Sequence, residues 1–352
     1  MERLLVRATN WLGDAVMSIP ALREIRQAHS GWHVSILALP WVAALYDGEP
    51  FCDEVVLYHR DGRHRGVLGR ERIARDLRGR PFDRAILLPN AFDAAWLAWR
   101  ARIPQRIGYS TDGRGPLLTH RIVKPRAEEV PAHQRFYYLE LLCRAGLIER
   151  MPEDDSARLE GAERLRRMGR DQWRRRRLPE GPWIGVSPGA AFGSAKRWLP
   201  ERFADAARVL ALESGSAVAV FGSPAEASLA EDVARRVGGR SCSLAGRTTL
   251  AEYLQLASTC SLYLTNDSGS MHVAAALGIP TVAVFGATDF EATGPAAPWA
   301  RIVREPVECA PCLLRECPLE GHPCMTGVGA DRVVEAAREL LAENDRSRGN
   351  GL

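Results

Sequence analysis

Three short stretches of this 352-residue chain combine small, acidic, amide and basic residues in patterns that could carry chemistry. The first is Asn10-Trp11-Leu12-Gly13-Asp14-Ala15-Val16-Met17. Asp14 could take a proton from a hydroxyl nucleophile as a general base; position alone fits an N-cap of the following helix equally well. Gly13 lets the backbone turn tightly or approach a ligand. The second runs from Ser187 to Trp198, a small-residue loop containing Gly189, Ala191 and Phe192 and ending in Lys196-Arg197-Trp198. Its amides could approach phosphate oxygens, with the ammonium offsetting charge on a leaving diphosphate. The plainer alternative is a flexible connector with an exposed lysine. Lysine is rare here, because the 47 basic residues include only Lys124 and Lys196. GC-rich codon usage would explain the ratio, yet a retained lysine supplies a point charge where arginine supplies a planar fork.

The third stretch is Thr265-Asn266-Asp267-Ser268-Gly269-Ser270-Met271-His272. Free amides at a helix start, helped by the helix dipole, make an anion site, while Asp267 and Ser268 could also act as caps. Together with the Lys196 loop it describes a nucleotide-diphosphate pocket. Glu226, after Phe221-Gly222-Ser223-Pro224, is a candidate acceptor for a ribose hydroxyl, or a solvated first-turn glutamate. Neither the dinucleotide G-x-G-x-x-G nor the phosphate-loop G-x-x-x-x-G-K-[ST] spacing is present in these stretches. No Asp-x-Asp pair occurs either, leaving Lys196 and helix-start amides to stabilise a diphosphate. Cys309, Cys312, Cys317 and Cys324 crowd the C-terminal region with His322 beside the last. Four thiolates could hold a structural zinc, but the spacing is tighter than common zinc ribbons, and reduced packing cysteines are the alternative. Cys52, Cys143, Cys242 and Cys260 are scattered and read as small buried hydrophobes.

These motifs sit where strands give way to helices. Apolar runs at 4–8, 34–38, 54–57 and 83–88 predict strands, and 15–28, 67–78 and 92–102 predict helices between them. The same grammar restarts with strands at 183–187, 217–221, 261–265 and 281–285, separated by helices at 201–213, 225–237, 250–258 and 270–277. Such alternation predicts an α/β fold of parallel, helix-covered sheets. The expected organisation is a first Rossmann-like domain over 1–178, a second over 179–330, and a helix and tail over 331–352. That final helix, expected at 331–343, could pack back on the first domain, with a frayed polar tail after it. Residues 163–177 hold eight arginines. They read as a solvated helix before the second domain, or as a basic surface for anionic headgroups.

Composition narrows the class. With 46% hydrophobic and 26% charged residues the chain suits a folded globular protein rather than a disordered one. A net charge of +4 is too slight to imply nucleic acid without a concentrated patch. No apolar run is long enough to span a bilayer, and the N-terminus lacks a signal-peptide pattern, so a cytoplasmic location is expected.

The order and spacing of the motifs resemble those of the ADP-heptose:lipopolysaccharide heptosyltransferases, glycosyltransferase family 9. The resemblance rests on residues 10–22, on Lys196-Arg197-Trp198 and on residues 266–272. The Asn-Trp-Leu-Gly-Asp version and the cysteine-rich tail are most similar to the branch that adds the second inner-core heptose. One departure is Gly321-His322, where paired histidines are expected. The resemblance implies a GT-B fold, two Rossmann-like domains with parallel sheets facing across a cleft, with acceptor bound by the first half and donor by the second. It implies inverting, metal-independent transfer of a heptose from ADP-heptose to the first heptose of heptosyl-Kdo2-lipid A, with no cofactor. Asp14 and Lys196 would then be catalytic, with Asp14 the general base. Gly189, Ala191, Phe192, Lys196, Glu226, Thr248, Asp267, Ser268, Gly269 and His272 would bind donor; Asn10, Trp11 and Gly13 would bind acceptor. A monomer touching the cytoplasmic face of the inner membrane is expected. Rival readings are transfer directly to Kdo2-lipid A, a nucleotide-sugar epimerase, and a non-catalytic nucleotide-sugar-binding protein.

Overall fold

Strands whose residues are apolar on both faces can only be stable when covered on both sides, and such strands form the centre of each of the two sheets of this protein. The structure, a computed structural model, describes residues 1–349. The first sheet comprises β1 (Arg3–Arg7), β2 (His33–Ala38), β3 (Glu54–Leu57), β4 (Arg84–Leu87), β5 (Gln105–Tyr109) and β6 (His120–Ile122), in the order β3-β2-β1-β4-β5-β6. The second comprises β7 (Trp183–Ser187), β8 (Ala217–Val220), β9 (Ser241–Ser243), β10 (Cys260–Asn266), β11 (Thr281–Phe285) and β12 (Ala300–Arg304), in the order β12-β11-β10-β7-β8-β9. All pairings are parallel. Counted from its own first strand, each sheet therefore has the doubly wound order 3-2-1-4-5-6, and the expected two Rossmann-like domains are present. The winding direction reverses between β1 and β4, and again between β7 and β10. In open α/β sheets the crevice outside the carboxyl ends of such strands is where ligands bind.

The chain divides into two compact units, Met1–Gly161 and Ala162–Leu352. The boundary thus precedes the arginine-rich stretch instead of following it at 178. The helix Ala162–Arg175 is second-unit structure because its apolar stripe is buried there: the Trp173 ring stacks on Trp183 at 4.1 Å, and its Nε1 donates to Thr259 Oγ1 at 2.7 Å. Its arginines are partly spent internally, Arg166 Nε on the Ser258 carbonyl at 3.1 Å and the following Arg176 on Glu252 at 2.8 Å.

Two further expectations change. The predicted helix 15–28 is two helices, Leu12–Met17 and Ile19–Ala28, meeting at Ser18. Pro20 has no N–H to offer to a preceding turn, so it starts a helix instead of continuing one. The last helix spans Ala330–Gly349, longer than expected, and lies against the helix Pro200–Ser214 and strands β11 and β12. Val333, Val334, Ala337 and Leu340 join the second unit's core there, so this helix belongs to the second unit rather than returning to the first. Residues 350–352 of the expected tail lie outside the described residues. No described helix is long and apolar enough to cross a membrane.

Candidate active site

Asp14 lies in the first turn of the helix Leu12–Met17, directly after β1 at the first sheet's switch point. The N-cap is Trp11, and no side chain caps the helix, so Asp14 is not spent on capping. Its carboxyl forms no hydrogen bond or ion pair among the described residues. Partial burial without a partner pushes its pKa above the ordinary carboxylate value. A lone carboxyl with raised proton affinity, held at a strand end, is what a general base requires. The loop before it is anchored from below. Arg7 Nη2 donates to Asn10 Oδ1 at 2.7 Å, and Trp41 Nε1 donates to the Asn10 carbonyl at 3.0 Å. Arg7 is buried, and desolvation brings its guanidinium down to about 10. Arg7 leaves a single signal in the sequence, a charge closing an otherwise apolar run just before the motif. Asn10 thereby serves the loop's own conformation, while Trp11 stands exposed beside Asp14.

In the second unit, the loops after β7, β8, β9, β10 and β11 gather around the other switch point. Lys196 Nζ lies 2.5 Å from Asp267 Oδ2, with side chains only 13% and 5% exposed. Thr288, in the loop after β11, donates to the same oxygen; nothing in the sequence singles it out. Asp267 thus orients the lysine, leaving its other two N–H directions open to an acceptor. The ammonium also stands 4.8 Å from the centroid of the Phe192 ring, and the Arg315 guanidinium stands 5.1 Å from it. Asn266 closes the loop at both ends: its Oδ1 accepts from Trp198 N at 2.9 Å, and its Nδ2 donates to the Pro188 carbonyl at 2.7 Å. Lys196 is therefore held in place, and the flexible-connector alternative does not describe it.

Ser268 is the N-cap of the helix Gly269–Ala276, but its hydroxyl makes no capping bond and sits 3.3 Å from Thr265 Oγ1. The helix-start amides around Gly269 and Ser270 are thus left without a side-chain cap, beside the Lys196–Asp267 pair. His272, one turn in, is buried and already engaged within the protein. Glu226 closes a capping box, accepting from Ser223 N and Oγ at 2.8 Å each through Oε2. Its other oxygen points at Gly189, where a Cβ would come within 1.9 Å. A side chain at 189 would have to displace the Glu226 carboxyl from this position. Thr248 lies in the loop after β9, which Gly246 ties to Gly222 through a 3.0 Å backbone bond. Ala191 is exposed on the rim.

The cysteine-rich tail does different work from that expected of a zinc site. Among the described residues no group of cysteine, histidine or carboxylate side chains is arranged to hold a metal. Cys324 is buried, and burial with the neighbouring thiols of Cys317, Cys309 and Cys312 pushes it up to about 11. The tail instead braces the Lys196 loop. Ala195 N donates to the Arg315 carbonyl at 3.0 Å, the His322 ring donates from Nε2 to the Ala195 carbonyl at 3.0 Å, and Arg315 Nη1 donates to the Phe192 carbonyl at 3.2 Å. A Cβ at Gly193 would come within 2.1 Å of the Arg315 carbonyl oxygen, so the two segments touch backbone to backbone.

Comparison with known proteins decides the family. Glycosyltransferase family 9 (heptosyltransferase) matches residues 70–322, well over half of the chain. The chain belongs to this family. It is accordingly a glycosyltransferase, and the following relatives match over nearly their whole length. It is 29% identical to lipooligosaccharide heptosyltransferase 2 of Haemophilus influenzae, over 97% of this chain and 99% of that one. It is 28% identical to lipopolysaccharide heptosyltransferase 2 of Escherichia coli, with the same coverage of both. Among solved structures it superposes on the E. coli ADP-heptose lipopolysaccharide heptosyltransferase II with a TM-score of 0.81 at 28% identity, covering 98% of this chain and 100% of that one. The two-domain GT-B architecture is that of these neighbours.

Proposed function

We propose that the protein transfers L-glycero-D-manno-heptose from ADP-heptose to the first heptose of heptosyl-Kdo2-lipid A, with inversion and without a metal. The observation that carries this reading is the end-to-end similarity to proteins named heptosyltransferase 2. The two strand-end sites supply the chemistry. Asp14 takes the proton of the acceptor hydroxyl as that oxygen attacks the anomeric carbon. The bond from that carbon to the diphosphate oxygen breaks, and ADP leaves with the electron pair. Lys196 and the uncapped amides near Gly269 meet the developing charge. Because Asp267 fixes the ammonium beforehand, little reorganisation is needed when that charge appears. The absence of an Asp-x-Asp pair supports metal-independent stabilisation. Gly189, Ala191, Phe192, Glu226, Thr248, Ser268 and His272 complete the donor side in this reading, and Asn10, Trp11 and Gly13 the acceptor side. The enzyme works as a monomer in the cytoplasm, peripherally on the inner membrane where its lipid acceptor lies.

The test is incubation with ADP-heptose and heptosyl-Kdo2-lipid A in the presence of EDTA, with products weighed by mass spectrometry. Gain of one heptose on that acceptor is expected. Gain only on Kdo2-lipid A would move the protein to the first transfer step. Conversion of ADP-heptose without any acceptor would make it an epimerase.

A further inference from the structure

The carboxyl edge of the first sheet carries apolar side chains where a water-facing surface needs none. Each connection leaving β1, β2, β3 and β4 presents at least one: Trp11 after β1, Trp41 after β2, Val67 and Leu68 after β3, and Phe92 after β4. Val67 is 73% and Leu68 84% exposed, in the first turn of the helix Gly66–Arg78. Single exposed apolar residues are ordinary, but these are joined through one framework. Trp41 donates to the Asn10 carbonyl, and the Arg60 guanidinium lies 5.6 Å from the Trp41 ring centroid. Asp93, next to Phe92, accepts from Tyr58 at 3.1 Å and pairs with Arg70 at 3.0 Å. The β3 connection is folded tightly on the buried His64, whose Nδ1 accepts from His59 N at 3.1 Å. Val67 and Leu68 are thus held outward by a packed loop.

The charge around this apolar pair is one-sided. Residues 60–72 include Arg60, Arg63, Arg65, Arg70 and Arg72 against Asp61 and Glu71. Glu71 is engaged by Arg100 at 2.8 Å and Asp61 by Arg60 at 3.5 Å. Among the described residues Arg63 and Arg65 pair with no carboxylate, and both are exposed. Arginine and tryptophan flanking a small aliphatic tip match the layering of a bilayer interface: acyl chains for the aliphatics, the headgroup region for indole rings, phosphates for guanidinium groups.

We propose that this edge docks on an anionic lipid bilayer, with Val67 and Leu68 as the inserting tip and Arg63 and Arg65 on the headgroups. In its purpose the proposal rests on the lipid-linked acceptor proposed above, because Trp11 and Asp14 share this edge and docking would bring the acceptor hydroxyl to the base.

The experiment separates the two. Full-length protein is sedimented with acceptor-free vesicles of phosphatidylethanolamine and phosphatidylglycerol, and with phosphatidylcholine vesicles. Binding to the anionic vesicles alone, weakened by salt, is expected. Val67→Asp/Leu68→Asp and, separately, Arg63→Glu/Arg65→Glu should each lower partitioning about tenfold or more while leaving circular dichroism and melting unchanged. With acceptor supplied, Val67→Asp/Leu68→Asp should lose turnover on vesicle-embedded substrate and keep it on a deacylated, water-soluble form. Wild-type protein that stays in the supernatant, equal binding to phosphatidylcholine, or variants that sediment like wild type would overturn the docking surface. Vesicle binding by a protein that turns over neither acceptor form would support the surface and remove the proposed reaction instead.

Discussion

Replacing Lys196 by methionine keeps the aliphatic stem and removes the charge, leaving Asp267 buried with Thr288 as its one remaining side-chain donor among the described residues. Two unit charges 2.5 Å apart attract by about 7 kcal/mol at an effective dielectric of about 20. Much of that is offset by the desolvation both groups already bear, so the pair itself adds little net stability. Breaking it is another matter. A carboxylate that is 5% exposed and has lost its cation costs about 3–5 kcal/mol. For a unit of this size that lowers the melting midpoint by roughly 6–20 °C.

The double variant Lys196→Met/Asp267→Asn leaves no unpaired charge, and an asparagine oxygen can still accept from Thr288. It should recover most of the lost stability. It should not recover ADP affinity, because the ammonium proposed to meet the diphosphate is gone. Calorimetric melting of the ligand-free proteins and isothermal titration with ADP measure the two quantities independently. A single variant within about 1 kcal/mol of wild type would refute the buried-pair argument. A double variant that regains ADP affinity would refute the phosphate role and make Lys196 a structural residue.

Asp14→Asn should lower kcat by about 10²–10⁴-fold with ADP binding retained, and wild-type activity should rise with pH through the raised Asp14 pKa. The same raised pKa means the folded state binds the proton more tightly than the unfolded chain, so wild type loses stability as pH climbs from the ordinary carboxylate value through the folded one. Asp14→Asn escapes that loss; its stability advantage should be absent in acid and full above the folded pKa, and equal pH–stability profiles would count against burial as the cause. Gly193→Ala places a Cβ against the Arg315 carbonyl, so the loop must move. It should raise the Kd for ADP while scarcely altering the core, and unchanged affinity would show that the tail does not set the loop.

Much of this arrangement is written in local pattern. β3, β7 and β11 fall on the expected residues because each is a short apolar run bounded by loops, and all three motifs fall on carboxyl ends because β1, β7 and β10 are such runs. The strands that escape notice are those whose neighbours do the stabilising. β9 is Ser-Cys-Ser and β6 is His-Arg-Ile, three residues each at a sheet edge. β5 begins with Gln105 and Arg106, and β12 is Ala-Arg-Ile-Val-Arg, so neither is an unbroken apolar run. Pairing with β8, β5, β4 and β11 holds these four strands, which no window of sequence displays.

The same distinction separates what was legible in the site from what was not. Asp14, Lys196 and Asp267 are visible as residue types in unusual places, whereas their supports are distant in sequence. Asn266 reads as part of an anion motif, but its clamp on Pro188 and Trp198 exists only because β10 lies beside β7. The cysteine tail shows why composition misleads most where a segment works through its backbone. Four clustered thiols suggest a metal from their side chains, while the tail's visible work is done by the Arg315 carbonyl and the His322 ring. A loop built from glycine, alanine and serine has few side chains with which to hold one conformation. Its order must come from a partner segment, and a partner that offers carbonyls and a fixed ring can supply it without leaving a motif. The precision of the Lys196 ammonium is therefore set more than a hundred residues downstream, at Arg315 and His322, as much as by the loop that carries it.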